Sequence, residues 1–148
     1  MPPTIAALAT PSASHCFAND TLTALADGVT PKNSADDTRP RFTWWDHQST
    51  AEWIQYDFDQ PRTVRSVDVY WWDDTPNRGR CRAPQSWRLL YKTDHGDWAP
   101  VPGAPTFGTT NDRFNTATFN PVRTTALRIE AQFHPTFSAG ILQWQVNP

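Results

Sequence analysis

The stretch Val64-Arg65-Ser66-Val67-Asp68-Val69-Tyr70-Trp71-Trp72 carries the clearest fold signal in this chain. Successive side chains of a β-strand point to opposite faces of a sheet, so Val67, Val69 and Trp71 share one apolar face. Trp72 then lies on the other face, at the end of the strand. A strand with one apolar face predicts an antiparallel sheet that packs one side against a core.

The same alternation recurs along the chain, where Ile54, Tyr56 and Phe58 are in phase, as are Leu127 and Ile129. The 14 prolines interrupt the chain throughout, and no long 3.6-residue periodicity predicts a helix. The other predicted strands are 52–58, 86–92, 98–101, 115–119, 126–133 and 141–146. About seven or eight short strands separated by turns predict an all-β fold, an antiparallel β-sandwich or jelly roll.

The length of 148 residues predicts one domain, 1–148. A net charge of −2 gives no basic surface for nucleic acid and argues against binding to anionic membranes. No apolar run is long enough for a transmembrane helix. The start, Met1-Pro2-Pro3-Thr4, lacks the regions of a signal peptide, so we expect a domain excised from a longer protein. Cys16 and Cys81 either form a disulfide or remain separate thiols, and the sequence favours neither.

The 8 tryptophans include two adjacent pairs beside acids, Trp44-Trp45-Asp46-His47 and Trp71-Trp72-Asp73-Asp74. Neighbouring side chains of a strand cannot both enter one core, so one ring of each pair either is exposed or packs beneath a loop. A flat indole beside carboxylate and imidazole groups suits a sugar. The ring covers the apolar C–H face of the sugar, and the polar neighbours bind its hydroxyls.

Two long irregular segments, 26–40 and 73–84, lie between the predicted strands. Long loops in compact sandwiches are usually functional or pinned by a metal. In the second segment, Asp73 and Asp74 have two alternative roles. They accept hydrogen bonds from a ligand, or they pair with an arginine of the same loop and order it, and both roles can hold together. The candidate arginines are Arg78, Arg80 and Arg82.

Four segments in order resemble the discoidin-type domain, the galactose-binding-like sandwich also called the coagulation factor V/VIII C-type domain. They are Leu25-Ala26-Asp27-Gly28, Trp53-Ile54-Gln55-Tyr56-Asp57-Phe58, Val67-Asp68-Val69-Tyr70-Trp71 and Ala126-Leu127-Arg128-Ile129. The segment 140–146 is similar to the last strand of the family. The resemblance covers nearly the whole chain and implies a galactose-binding-like β-sandwich, but it is much less specific for function.

A narrower resemblance concerns 41–47 and 79–91, which are similar to modules appended to bacterial glycoside hydrolases. These are especially the β-L-arabinofuranosidase-type enzymes of family 127, and related modules form carbohydrate-binding module family 32. The resemblance implies a non-catalytic module that targets an attached glycoside hydrolase to plant glycans containing arabinose, galactose or rhamnose. It also implies an extracellular or periplasmic location.

In such modules the ligand usually lies among the loops at one end of the sandwich. The resemblance therefore implies a site built from the loops before 52, after 72 and before 141. Its stacking rings would be Trp72, Phe137 and either Trp44 or Trp45, while His47 either contacts the ligand or packs in its loop. The expected carbohydrate-binding residues are Trp44, Trp45, Asp46, His47, Trp72, Asp73, Asp74, Arg78, Arg82 and Phe137.

The turn at Asp27-Gly28 resembles the calcium-binding loop of the family. Ca²⁺ takes about six to eight oxygen ligands, and Asp27 would supply a carboxylate. The family often adds an acid in the last strand, where this chain has Gln143, whose neutral amide should bind the ion more weakly. The alternative is a simple turn with Gly28 in the left-handed region. The expected calcium ligands are Ala24, Asp27, Val29, Ser34 and Gln143.

Arg128 matches an arginine of the family, and we expect it to form a buried ion pair with Asp57 or Asp68. Two other functions compete with carbohydrate binding. A glycosidase needs two carboxylates about 5–10 Å apart across a cleft, which a small sandwich rarely offers. A protein- or membrane-adhesion domain presents apolar or basic loop tips, whereas these loops mix acids with aromatic residues.

Overall fold

The computed structural model describes residues 5–103 and 106–148. The expectation about a signal peptide concerns residues 1–4, which lie outside the described residues. The strands are β1 (Ala9–Ala13), β2 (Phe42–Thr43), β3 (Ala51–Trp72), β4 (Ser86–Lys92), β5 (Trp98–Pro100), β6 (Asn115–Gln132) and β7 (Gly140–Asn147). Three short 3₁₀ turns, Ile5–Leu8, Leu22–Ala26 and Thr75–Asn77, complete the regular structure of these ranges. None of the helical turns in the described ranges has the length or apolar character to span a bilayer. The predicted all-β antiparallel fold is confirmed.

The strands pair in the order β2-β7-β3-β6-β4-β5, with β1 on the other edge of β3. β3 and β6 are long strands that pair with each other over three stretches of β3, which are Ala51–Asp57, Arg62–Val64 and Ser66–Val69. Register shifts between these stretches bend the strands, so that each contributes to both layers of the sandwich. The segments predicted as separate strands, 52–58 with 64–72 and 115–119 with 126–133, are therefore continuous.

The inner faces are those that the alternation predicts. Ile54, Tyr56, Val67 and Trp71 all belong to one buried core cluster. The Tyr56 ring stacks on Trp144 with 3.9 Å between ring centroids, and its hydroxyl donates to the Trp144 carbonyl at 2.7 Å. Burial raises the pKa of Tyr56 well above its ordinary value. Each large side chain buried in this way stabilises the fold by about 1.5–3 kcal/mol.

Trp72 points away from this core, as predicted. It packs on the outer side of its sheet in a second, smaller cluster with Tyr70, Cys81 and Leu142. Cys81 belongs to the loop after β3, so that loop covers the end of the strand. Both cysteines are free, and burial raises the pKa of Cys81 to about 12.

The predicted ion pair of Arg128 is wrong. Its guanidinium donates instead to Gln55 Oε1, at 3.0 Å from Nε and 2.6 Å from Nη2. Gln55 lies directly opposite Arg128 across the β3–β6 ladder, so its amide reaches the guanidinium first. Gln55 Nε2 in turn donates to Asp57 at 2.9 Å, which links the charges through the amide.

The strands β1 and β2 were not predicted. β1 reads Ala-Thr-Pro-Ser-Ala and lacks the apolar alternation of a strand, while β2 has only two residues. Both strands form by pairing with a longer strand, β1 with β3 and β2 with β7. This tertiary pairing stabilises them although their own sequences have no strand pattern.

Candidate functional site

Three loops meet at one end of the sandwich, and we call them the Trp loop (44–50), the Arg loop (73–85) and the Phe loop (134–139). The Phe loop lies between the other two and is hydrogen-bonded to both of them. The bonds run from Trp44 N to Ala139 O (3.0 Å), Ser49 N to Phe137 O (3.1 Å), Arg82 N to Ser138 O (3.0 Å) and Ser138 N to Arg80 O (2.9 Å). The three segments expected to form one site therefore do share one end of the fold.

A cleft of about 270 Å³ opens beside the Trp and Arg loops. Its lining joins these two loops to residues from the chain before β2. Prominent members of the lining are Phe17, Asp20, Arg41, Trp45, Asp74 and Arg80. The cleft therefore combines an indole with two acids and two arginines.

Of the first tryptophan pair, only Trp45 offers ring surface to a ligand. Trp44 is fully buried in the core, where its indole nitrogen donates to the Trp53 carbonyl at 3.1 Å. Trp45 is half-buried and lines the cleft. The structure thus resolves the choice between the two rings in favour of Trp45.

Trp72 does not present the exposed stacking ring that was expected. Only 2% of the residue is exposed, and the guanidinium of Arg41 lies 4.2 Å from the ring centroid. The arginine covers the indole by a cation–π contact, and the ring reaches the cleft only as part of its wall. Truncating Trp72 should therefore damage packing more than binding.

Phe137 is half-buried beneath two arginines of the Arg loop. The guanidinium carbon of Arg82 lies 4.2 Å from the ring centroid, and that of Arg80 lies 5.0 Å away. Arg80 also donates to the Thr136 carbonyl at 2.7 Å and borders the cleft. Arg80 was expected only as a loop-ordering residue, but here it joins the Phe loop to the cleft.

Asp73 organises the Arg loop from inside. It is buried and accepts hydrogen bonds from Thr75, Ala83 N (3.2 Å) and Asn111 (3.1 Å). Burial alone would raise the pKa of Asp73, but these hydrogen bonds outweigh it and lower the pKa overall. Asp73 therefore orders the loop, but through these three residues and not through Arg78, Arg80 or Arg82, as that alternative expected.

Asp74 combines both alternatives. One of its oxygens accepts a hydrogen bond from Cys81 N at 2.8 Å and lies 3.6 Å from a guanidinium nitrogen of Arg82, so Asp74 orders the loop. Asp74 also lines the cleft. Arg82 donates to two carbonyls of its own loop, those of Gly79 (2.9 Å) and Cys81 (2.8 Å). Arg78 is exposed in the left-handed region (φ 59°), and the described part of the chain gives its side chain no hydrogen bond.

His47 sits in a small polar cluster of the Trp loop, and neither His47 nor Asp46 lines the cleft. Its Nδ1 lies 2.6 Å from Glu52 Oε1, and its ring stacks on His15 with 3.8 Å between centroids. His15 Nε2 is 2.9 Å from the Trp45 carbonyl and 3.9 Å from Asp46, whose side chain is 75% exposed. His15 and Glu52 thus hold the Trp loop in place, and sequence spacing gives no sign of this pairing for His15.

Asp20 is a cleft residue that sequence reasoning missed. Its carboxylate accepts a short hydrogen bond from the Thr43 hydroxyl, and burial raises its pKa, which the Thr43 bond and the charge of Arg41 partly oppose. The lining holds Asp20 and Asp74 against Arg41 and Arg80, so its charges balance. A cleft of this kind suits a neutral ligand rich in hydroxyl groups.

The residues expected to bind calcium only partly converge. Gln143 Nε2 donates to Ala24 O at 2.9 Å and to Asp27 Oδ1, and Arg39 pairs with the other Asp27 oxygen at 3.2 Å. Ser34 lies elsewhere and exchanges hydrogen bonds with Asp112. Within 5–103 and 106–148, no three His, Cys, Asp or Glu side chains form a group suited to a metal. With the Gln143 amide in this orientation the set does not fit the oxygen shell of Ca²⁺, because Gln143 Nε2 and Arg39 occupy the two oxygens of its one carboxylate. The buried Oε1 of Gln143 has no hydrogen-bond partner among the described residues.

The family profile of the F5/8 type C domain matches residues 12–141, and the chain belongs to this family. Solved structures with the same fold include carbohydrate-binding modules. The family 32 module of C. perfringens NanJ, solved in complex with galactose, is 17% identical with a TM-score of 0.71, over 97% of each chain. Chitosan-binding module 1 of a Paenibacillus sp. IK-5 chitosanase/glucanase is 18% identical with a TM-score of 0.70, over 98% of each chain.

A structure from the Streptococcus pneumoniae β-galactosidase BgaA is also similar, with 17% identity and a TM-score of 0.76 over 95% of this chain and 92% of that one. No curated protein sequence matches the chain. Identities this low show the fold alone. The chain therefore has the fold of family 32 carbohydrate-binding modules, as the resemblance implied.

Proposed function

We propose that this domain is a non-catalytic carbohydrate-binding module whose cleft beside Trp45 holds one neutral sugar ring. The observation that supports this most strongly is the half-buried Trp45 indole bordering the charge-balanced cleft at the loop end of the fold. The solved neighbours include a module in complex with galactose and a chitosan-binding module, so a sugar is the first ligand class to test.

In the proposed complex the apolar face of the sugar stacks on Trp45. Asp74 and Asp20 accept hydrogen bonds from its hydroxyls, and Arg80 donates one. Asp46 and His47 follow Trp45 in the Trp loop but lie outside the cleft lining. A hydrogen bond to a charged group contributes about 1.5–3 kcal/mol, and a shallow cleft of this size engages few of them. We expect a Kd in the micromolar to millimolar range.

Weak binding suits a module tethered to an enzyme, because attachment raises its effective concentration at the substrate. We propose an extracellular or periplasmic glycoside hydrolase as the attached partner, acting on plant glycans that contain arabinose, galactose or rhamnose. Catalysis by the domain itself is disfavoured, because both carboxylates of the cleft already accept hydrogen bonds from the protein, Asp20 from Thr43 and Asp74 from Cys81 N. The neutral cleft likewise disfavours membrane adhesion.

Affinity gel electrophoresis on soluble arabinogalactan and on rhamnogalacturonan tests this function with two matched variants. Trp45→Ala should abolish retardation while leaving the thermal midpoint nearly unchanged, because the ring is only half-buried. Trp72→Ala should instead lower stability by about 3–5 kcal/mol, as a buried tryptophan truncation does. Retardation that persists in Trp45→Ala would contradict the assignment of the cleft. Binding to phosphatidylserine vesicles, with no binding to either glycan, would favour adhesion.

A further inference from the structure

A second recess lies on the outer face of the layer formed by β3, β6 and β4, separate from the loop cleft. Ala51, Gln132 and Ser86 stand opposite one another across these three strands, and the next outward row is Trp53, Glu130 and Arg88. Ala51 and Ser86 are small, so they leave a depression beside the larger row. The recess measures about 370 Å³, within the usual range of about 300–1,000 Å³ for ligand sites.

Trp53 forms an aromatic wall that is held in place before any ligand arrives. The Arg128 guanidinium lies 4.3 Å from the Trp53 ring centroid and 4.6 Å from that of Trp98, and Gln55 fixes it by two hydrogen bonds. Trp53 lines the recess, whereas Arg128 does not. The part of the Trp53 ring that Arg128 leaves uncovered therefore faces the recess. A ring immobilised in this way loses little entropy on binding.

The row also supplies free polar atoms. Both contacts from Arg88, at 2.7 Å from Nε and 2.6 Å from Nη2, go to the same oxygen of Glu130, Oε1. Within the described residues, Glu130 Oε2 accepts no hydrogen bond, and the Arg88 side chain is 60% exposed. One acceptor and several N–H donors therefore stand beside the free surface of Trp53.

We infer that this recess is a second carbohydrate-binding site, which takes a neutral sugar residue stacked on Trp53 and hydrogen-bonded to Glu130 and Arg88. Arg88 pairs with Glu130, and Glu52 adds a second acid to the lining, so the recess disfavours an anionic ligand and we assign it a neutral sugar. This inference rests on the proposed carbohydrate-binding function and adds a second point of attachment. Glu52 lines the recess and contacts His47, two residues after Trp45, so the recess lies next to the Trp loop. Two weak sites on one module raise its avidity for a polysaccharide.

The test follows the indole N–H signals of the ¹⁵N-labelled domain by NMR during titration with galactose, L-arabinose or L-rhamnose. The Trp45 and Trp53 signals are assigned from the spectra of Trp45→Phe and Trp53→Phe variants. Ser86→Arg fills the recess but keeps the Trp53 indole as the reporter and replaces no residue of the three loops. Thr118→Arg places the same side chain at an exposed strand position outside the recess and serves as control.

We expect the Trp53 signal to shift and saturate with at least one sugar, and Ser86→Arg to weaken that binding at least tenfold. Thr118→Arg should leave it unchanged, and the Trp45 titration should be the same in both variants. A Trp45 shift without a Trp53 shift would overturn the second site while leaving the proposed function intact. A Trp53 shift that survives Ser86→Arg would overturn it too, because the signal would then report the Glu52–His47 link. If neither signal shifts with any of the sugars, both proposals are contradicted.

Discussion

The side-chain amide of Gln143 in the last strand donates a hydrogen bond to the Asp27 carboxylate, and Arg39 pairs with the other oxygen of the same group. The same amide also donates to the Ala24 carbonyl, so one side chain ties the 24–27 turn to β7. An amide and a guanidinium thus stand where the family resemblance implied a cation. If the Gln143 amide were reversed, its oxygen would face the Ala24 carbonyl and Asp27 Oδ1. Only a bound cation would favour three oxygens placed together in this way.

We therefore expect the thermal midpoint of the domain to be the same in EDTA and in millimolar CaCl₂. Gln143→Glu should lower the stability by about 1–3 kcal/mol, because it sets a second carboxylate against Asp27 and removes the N–H donor. Calcium should restore part of that loss. Gln60→Glu, at an exposed position, is the control for added charge. A wild-type midpoint that falls in EDTA would show that the turn holds a cation after all.

Within the Arg loop, the backbone at Gly79 lies close against the side chain of Asp74. A Cβ at this position would lie 1.9 Å from Asp74 Oδ2. Gly79→Ala should therefore destabilise the domain by about 1–3 kcal/mol and weaken glycan binding, since it displaces the loop that carries Arg80. In an Asp74→Ala background the same change should cost less, and urea unfolding of the four proteins measures this coupling. Strictly additive effects would mean that the clash is relieved elsewhere.

The hydrogen bonds to Asp73 predict a dependence of stability on pH. Its pKa in the folded state lies below the ordinary value of 3.8, so the carboxylate stabilises the fold at any pH above that value. This contribution is lost as the pH falls through the lowered, folded-state pKa. Asp73→Asn should cost about 1–3 kcal/mol at pH 7, with a smaller difference from wild type in strong acid. Urea unfolding at pH 7 and near pH 3 checks this, with Asp37→Asn at an exposed position as control. A difference that stays constant with pH would contradict it.

Cys81 should resist alkylation in the folded domain. Burial raises its pKa to about 12, with the charges of Asp74 and Asp20 adding to the effect. At pH 8 only roughly one thiol in ten thousand is then ionised, and the thiolate is the reactive form. Cys16, whose pKa is also raised by burial but which is only half-buried, should react first. Peptide mass spectrometry after iodoacetamide treatment distinguishes the two thiols, and both should react in urea. Rapid labelling of native Cys81 would show that the Arg loop opens.

Much of the fold follows from the sequence, because strand periodicity is a local property. The inward faces around Ile54 and Val67, and the outward turn of Trp72, could be assigned from alternation alone. The continuity of β3 and β6 could not, since residues 59–63 and 120–125 read as turns. The strands are continuous there because Arg62–Val64 of β3 pairs with Val122–Thr124 of β6 between two register shifts.

The candidate site was predictable only in outline. The chain order of the strands brings the Trp, Arg and Phe loops to one end, and the resemblance pointed there. Which rings face solvent depends on contacts between residues far apart in sequence, and no local pattern reports them. Arg41 covers Trp72, while the core encloses Trp44 and leaves Trp45 at the cleft.

The sequence by itself determined the strand faces, the all-β class and the family, because these depend on side-chain alternation and on short motifs. Only the tertiary structure decided that Asp73 is held within its loop, that Asp20 enters the cleft and that Arg128 fixes Trp53. The physical reason is that loop side chains obey no periodicity. Their exposure and hydrogen bonding are set by whichever distant segments pack against them.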